Sequence, residues 1–154
     1  MELFNPAPLL RRLAAWGIDA VIVAGSAGVI AAVTVGRSDI DDAVMVHVIS
    51  VLLGLVWMTY NTLLLSRPGV RNGQTLGKQL LRVHVARADG HPLALTDAAA
   101  RQLTQWGPMI ILGQFDLLTG VTVAWLIAAL GAALIGPSRQ TLYDRLLNQR
   151  VLGD

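Results

Sequence analysis

A chain of 154 residues that is 54% hydrophobic and only 14% charged carries too little charge for a soluble surface, where about a quarter of residues are ordinarily charged. With a mean hydropathy of +0.57, the apolar solvent is expected to be a bilayer, and the net charge of +2 reads as basic cytoplasmic loops rather than a nucleic-acid footprint. The absence of cysteine excludes disulfides, thiolate metal sites and thiol chemistry.

The first apolar segment, 13–35, follows Arg11-Arg12 and contains Gly25-Ser26-Ala27, an arrangement also seen in a cleaved leader. Asp19 inside the apolar run, and the length of that run, instead predict a retained transmembrane helix. An acid at that depth costs roughly 2.5–3.5 kcal/mol, so it must be paired, solvated or used. Arg12 lies seven residues earlier. At about 100° per residue both side chains leave one face of the helix. That face must look into a bundle, with Arg12 as the expected counter-charge of Asp19. Residues 36–42 form an acid-rich break before a second span, 43–65. His47 near its start, and Trp57, Tyr60 and Asn61 towards its end, read as residues of the lipid–water interface.

Residues 66–96 form a polar, turn-rich loop, expected to be cytoplasmic. Thr75 reads as the cap of a short helix with Lys78 at the headgroups. Residues 82–87 alternate polar and apolar like a strand. Ala88-Asp89-Gly90-His91-Pro92 is a turn, so 93–95 is expected to return as a second short strand in a hairpin-like loop, before Thr96 or Asp97 caps the next helix. His84 and His91 would face each other across that hairpin, but two histidines without a third ligand read as surface residues. Neither metal nor cofactor is expected. Lys78, Arg82 and Arg101 form a basic set expected to face anionic headgroups or a partner protein.

Residues 97–117 and 121–136 are two further helices, the first interrupted by Pro108 and needing residues 97–102 to reach the length of a span; 137–154 is a tail. With the N-terminus in the cytoplasm, four crossings leave only Arg37 of the twelve basic residues outside; three crossings would move Arg139, Arg145 and Arg150 outside, against the positive-inside bias. Four are therefore preferred, three being the alternative. Ala20, Ala24, Gly28 and Ala32, and likewise Ala124, Ala128, Ala132 and Gly136, are small residues at helical spacing that predict close helix contacts. The expected fold is thus an all-α membrane protein, a single domain over 1–154: a small transmembrane helical bundle with a short cytoplasmic hairpin-like loop, multi-pass in the inner membrane.

The segment Arg12-Leu13-Ala14-Ala15-Trp16-Gly17-Ile18-Asp19, the middle block from Thr75-Leu76-Gly77-Lys78 through Val83–Gly90 and Leu93 to Arg101, and the closing Thr141-Leu142-Tyr143-Asp144 with Val151-Leu152 resemble the RDD family of small membrane proteins. The resemblance implies that Arg12, Asp19 and Asp144 are the name-giving arginine and two aspartates. It also implies a transport-associated role, with cation/proton exchange proposed for some relatives. Two uses of the trio follow. Either the two acids form an ion-coupling site with Arg12 as counter-charge, in a bundle small enough to need a homo-oligomer or a partner membrane protein, or the trio is a structural latch in a scaffold or accessory subunit, Arg12 and Asp144 pinning the tail beneath the first helix and Asp19 satisfied by Arg12 or by a neighbouring helix. An enzyme is not expected: Thr75-Leu76-Gly77-Lys78 lacks the rest of a phosphate loop, and no nucleophile–base set stands out.

Overall fold

The computed structural model describes residues 6–35, 41–112, 119–135 and 140–153. Helix α1 spans Leu9–Val35 and α2 Asp42–Ser66. A short unit follows, α3 at Leu76–Leu80 and β1 at Val83–Arg87. A second helical pair, α4 at Leu95–Leu112 and α5 at Thr119–Ile135, precedes α6 at Leu142–Leu146 and β2 at Gln149–Gly153. The acid-rich residues 36–40 and the 113–118 segment with Gln114, Phe115 and Asp116 lie outside the described residues.

Leu9–Val33 and Val44–Ser66 are long and apolar enough to cross a bilayer, yet only 22% and 11% of them is buried within the chain. The core helix of a soluble protein would be mostly covered. Here Val21, Val29, Val33, Val46 and Leu55 are all more than half exposed, a surface suited to acyl chains rather than water.

The strand over 82–87 forms, but its partner is not 93–95. β1 pairs antiparallel with β2 of the tail, Val85 opposite Val151 and Arg87 opposite Gln149. Leu93 is unavailable for a hairpin because Asn72 uses both its backbone groups: the Leu93 N–H donates to Asn72 Oδ1 at 2.7 Å, and Asn72 Nδ2 donates to the Leu93 carbonyl at 3.0 Å. The period-two pattern then turns Val83 and Val85 inward. With Val151 they pack on Ala7, Leu65, Leu93 and Ala98 as the core of a small cap. Gly73 staples the end of α2 to this sheet. Its N–H reaches the Leu65 carbonyl and its own carbonyl accepts from Val85 N–H, both at 2.8 Å; its φ is +76° and a Cβ there would collide with the Val85 carbonyl.

Because β1 and β2 share one ladder, each helical pair leaves the cap and returns to it. Arg145 Nη2 to the Ala132 carbonyl, at 3.3 Å, fastens α6 to α5, while Ala7 N–H bonds the Val151 carbonyl at 3.2 Å beside the start of α1. The small-residue ridge of α1 falls one position away from expectation. Ala15, Asp19, Val23 and Ala27 are the buried row, and Ala24, Gly28 and Ala32 are exposed. Ala124 and Ala128 of α5 are likewise exposed, and Gly136 lies outside the described residues.

Candidate functional site: a buried charge cluster under the helices

The position of Asp144 is set by local helix chemistry. Thr141 caps α6: its Oγ1 accepts the Asp144 N–H at 3.3 Å, and Asp144 Oδ2 accepts the Thr141 N–H at 3.0 Å, a reciprocal capping box. The carboxylate, with no exposed surface, then meets two guanidiniums. Arg12 Nη2 lies 3.1 Å from Oδ2, and Arg101 Nη1 lies 2.5 Å from Oδ1. The second contact is misaligned for a hydrogen bond, so charge rather than a directed bond holds Oδ1. Arg101 is itself fixed by Gln149 Oε1 at 2.8 Å and by the Tyr143 ring, 5.0 Å below its guanidinium carbon. Burial pushes the Asp144 carboxyl up, but Arg101, Arg12 and the Thr141 bonds outweigh it and hold the group below the usual carboxylate range.

Asp19, 1% exposed, is satisfied differently. Tyr60 Oη donates to Oδ1 at 2.7 Å, Gly77 N–H to Oδ1 at 2.8 Å and Thr75 Oγ1 to Oδ2 at 2.5 Å. Arg12 does share a face of α1 with Asp19, as the spacing predicts, but its guanidinium goes to Asp144. Hydroxyls and an amide from α2 and the α3 unit solvate Asp19. Such close docking needs Gly77, where a Cβ would run into the Ala15 carbonyl and come within 3.0 Å of Asp19 Oδ1. Lys78 continues the chain of contacts, its Nζ lying 3.4 Å from Thr75 Oγ1. The Lys78 side chain is half-buried, and withdrawal of its ammonium from water pulls its pKa down to about 8. Asp19 opposes that shift, Arg101 adds to it, Asp144 opposes it and Arg12 adds to it.

Arg12, Asp19, Lys78 and Arg101 line one cavity of about 370 Å³. The three-tryptophan contact of Trp16, Trp57 and Trp106 lines it too, with ring centroids 5.3 to 6.5 Å apart. Tyr60 and Asn61, expected at the interface, instead face inward: Asn61 is 4% exposed. Of the basic set, Arg82 is exposed, Lys78 lines the cavity and Arg101 is 5% exposed. A sequence model of the RDD family matches residues 6–148. The chain belongs to the RDD family. Searches among curated proteins and solved structures returned no match.

In this RDD protein Arg12, Asp19 and Asp144 divide into two neighbouring sites, Arg12 with Asp144 and Asp19 with the α3 unit. Two short sequence patterns recur along the chain. Arg11-Arg12-Leu13-Ala14-Ala15-Trp16-Gly17 of α1 recurs as Arg101-Gln102-Leu103-Thr104-Gln105-Trp106-Gly107 of α4. Gln74-Thr75-Leu76 with Leu80-Leu81 recurs as Gln140-Thr141-Leu142 with Leu146-Leu147. Each copy of the latter runs from an N-terminal threonine through a five-residue helix and one left-handed residue, Arg82 at φ 52° or Asn148 at φ 51°, into a five-residue strand. Val85 opposite Val151 marks the approximate two-fold axis. Lys78 and Asp144 occupy matching positions in the two segments and carry opposite charge. The repeated Arg-x-Leu-x-x-Trp-Gly was the available signal for Arg101, and the repeated Gln-Thr-Leu for the pairing of the tail with the loop.

The histidines stand apart from this cluster. His84 sits opposite Leu152 in the ladder, and His91 Nδ1 lies 3.5 Å from Asp89 on an exposed turn. Among the described residues no group of three acids or histidines could hold a metal ion.

Proposed function

We propose that this RDD protein is a transport-associated protein of the inner membrane that exchanges a proton on Lys78 for a monovalent cation at Asp19, with Arg12, Asp144 and Arg101 as a fixed latch. The observation that carries this reading is the continuous path from Lys78 Nζ through Thr75 Oγ1 to Asp19 Oδ2 on the wall of the cavity. While Lys78 is protonated its ammonium balances Asp19. When the proton leaves, Asp19 carries an unbalanced charge, and Oδ2 keeps lone-pair capacity beyond the Thr75 bond for a cation. One proton leaves as one monovalent cation enters, so the net charge of the site is unchanged. Asp144 is unsuited to this task because two arginines, which do not lose their protons, hold it ionised.

In reconstituted vesicles, Asp19→Asn is expected to abolish cation-dependent pH changes while the protein stays folded, since the amide oxygen still accepts from Tyr60 and Gly77. Persistence of exchange in this variant would sink the reading. Exchange by the wild type should rise as pH passes about 8, where Lys78 gives up its proton. Lys78→Arg, which keeps the charge but does not release it at these pH values, should remove exchange across that range.

The scaffold reading is favoured by a different observation: the Arg12–Asp144 pair pins the tail beneath α1. On that reading the protein binds another membrane protein or a second copy, and Asp19→Asn removes the protein from the membrane instead of its exchange. Four crossings with both ends in the cytoplasm are part of the proposal, supported by the return of each helical pair to the cap. Single cysteines at Val70 and Leu146, 102% and 64% exposed, should both label only after permeabilisation; labelling of both in intact cells would reverse the proposed orientation, and labelling of Leu146 alone would give three crossings.

A further inference from the structure

The cavity is larger than cation exchange requires. A water occupies about 30 Å³, whereas the space beside Asp19 is about 370 Å³, within the range of sites for small organic ligands. Three cationic side chains line it, Arg12, Lys78 and Arg101, against one acid, Asp19; with Asp144 included, one positive charge remains over the group. The tryptophan contact supplies an apolar wall. Trp16 and Leu13, each 47% exposed, carry that wall to the outer surface of α1. Gln102, 2% exposed, also lines the cavity, and its Oε1 has no hydrogen-bond partner among the described residues. A buried amide oxygen left unsatisfied is unfavourable, and a ligand with a donor would satisfy it.

We propose that the cavity binds an anionic amphiphile, its acidic head at the Arg12–Arg101 wall and its apolar part against Trp16, Trp57 and Trp106. A phosphate ester has the required chemistry of negative charge and acceptor oxygens, and below about pH 6 a monoester is the monoanion with one hydroxyl donor as well. This site goes beyond cation exchange and does not depend on it, because binding is read without any ion gradient.

The full chain in a non-ionic detergent is titrated with octyl phosphate, inorganic phosphate and octyltrimethylammonium, followed by tryptophan fluorescence and equilibrium dialysis. Octyl phosphate should bind saturably and about tenfold or more tighter than either other probe. Equal binding of inorganic phosphate overturns the apolar half of the site, and equal binding of the ammonium overturns its charge preference. Gln105→Phe, which fills the cavity wall without touching the latch, should weaken octyl phosphate by about tenfold; unchanged binding in the folded variant overturns the location. Should that variant not fold, Gln102→Glu reads the same point, since an added negative charge must weaken an anion held there. Displacement of octyl phosphate by phosphatidylglycerol in mixed micelles would support a membrane lipid as the natural source, and failure to displace it a soluble amphiphile.

Discussion

Asp144→Asn is expected to cost about 3–5 kcal/mol, the penalty for removing one member of a buried ion-paired group. The amide would leave Arg12 and Arg101 facing each other inside the cap with no anion between them, where the carboxylate now touches both. Thermal unfolding in detergent, followed by circular dichroism, should show a midpoint lower by on the order of 10 °C. Arg82→Gln, on the exposed surface, should leave the midpoint unchanged. Thr141→Ala should fall between the two, at about 1 kcal/mol, because it removes the cap but not the charge. The pH dependence has a definite sign. Asp144 is held below its ordinary range in the folded state, so its stabilisation is fully present above that range and is lost as pH falls through the lower folded value. An Asp144→Asn variant that melts like the wild type would remove the latch from both functional readings.

The membrane helices were legible because bilayer burial needs only length and apolarity: α1 and α2 begin and end within a few residues of the expected 13–35 and 43–65. The inward face of α1 was legible for the same reason, since an acid cannot face lipid. What the spacing could not supply was the partner. Arg12 and Asp19 are nearly two helical turns apart on one face, but a charge pair is chosen by what the rest of the fold brings nearby. Asp144 arrives through the tail and Thr75 through the loop. The strand 83–87 was visible as alternation, whereas its partner was not, because pairing with 149–153 is non-local and Asn72 diverts the nearer segment. Thr75 shows the limit most clearly. Its position before a short helix reads as a cap, yet its hydroxyl makes no capping bond and is given to Asp19 instead. Its counterpart Thr141 does cap, so one motif serves two purposes in the two halves.

Gly77→Ala should be among the most damaging single-methyl additions the cap can receive. The new Cβ would enter the space of the Ala15 carbonyl and crowd Asp19 Oδ1, so α3 would have to retreat from α1. Retreat is resisted from three sides: Gly77 N–H is bonded to Asp19 at 2.8 Å, Leu76 N–H to Tyr60 Oη at 3.2 Å, and Thr75 Oγ1 to Asp19 Oδ2. Overpacking together with the loss of a donor to a buried carboxylate amounts to about 3–5 kcal/mol. The expected result is a several-fold drop in membrane-inserted protein, measured by quantitative blotting, with faster proteolysis of residues 66–96. Gly107→Ala is the matched control, because nothing lies within 4 Å of its would-be Cβ and the helix should gain slightly from alanine. A further variant separates backbone crowding from side-chain crowding. Because the obstacle at residue 15 is a carbonyl oxygen, adding Ala15→Gly to Gly77→Ala should restore nothing, whereas recovery of insertion would place the clash in the side chain and remove the close approach of α3 to α1 as the reason Asp19 is tolerated at this depth.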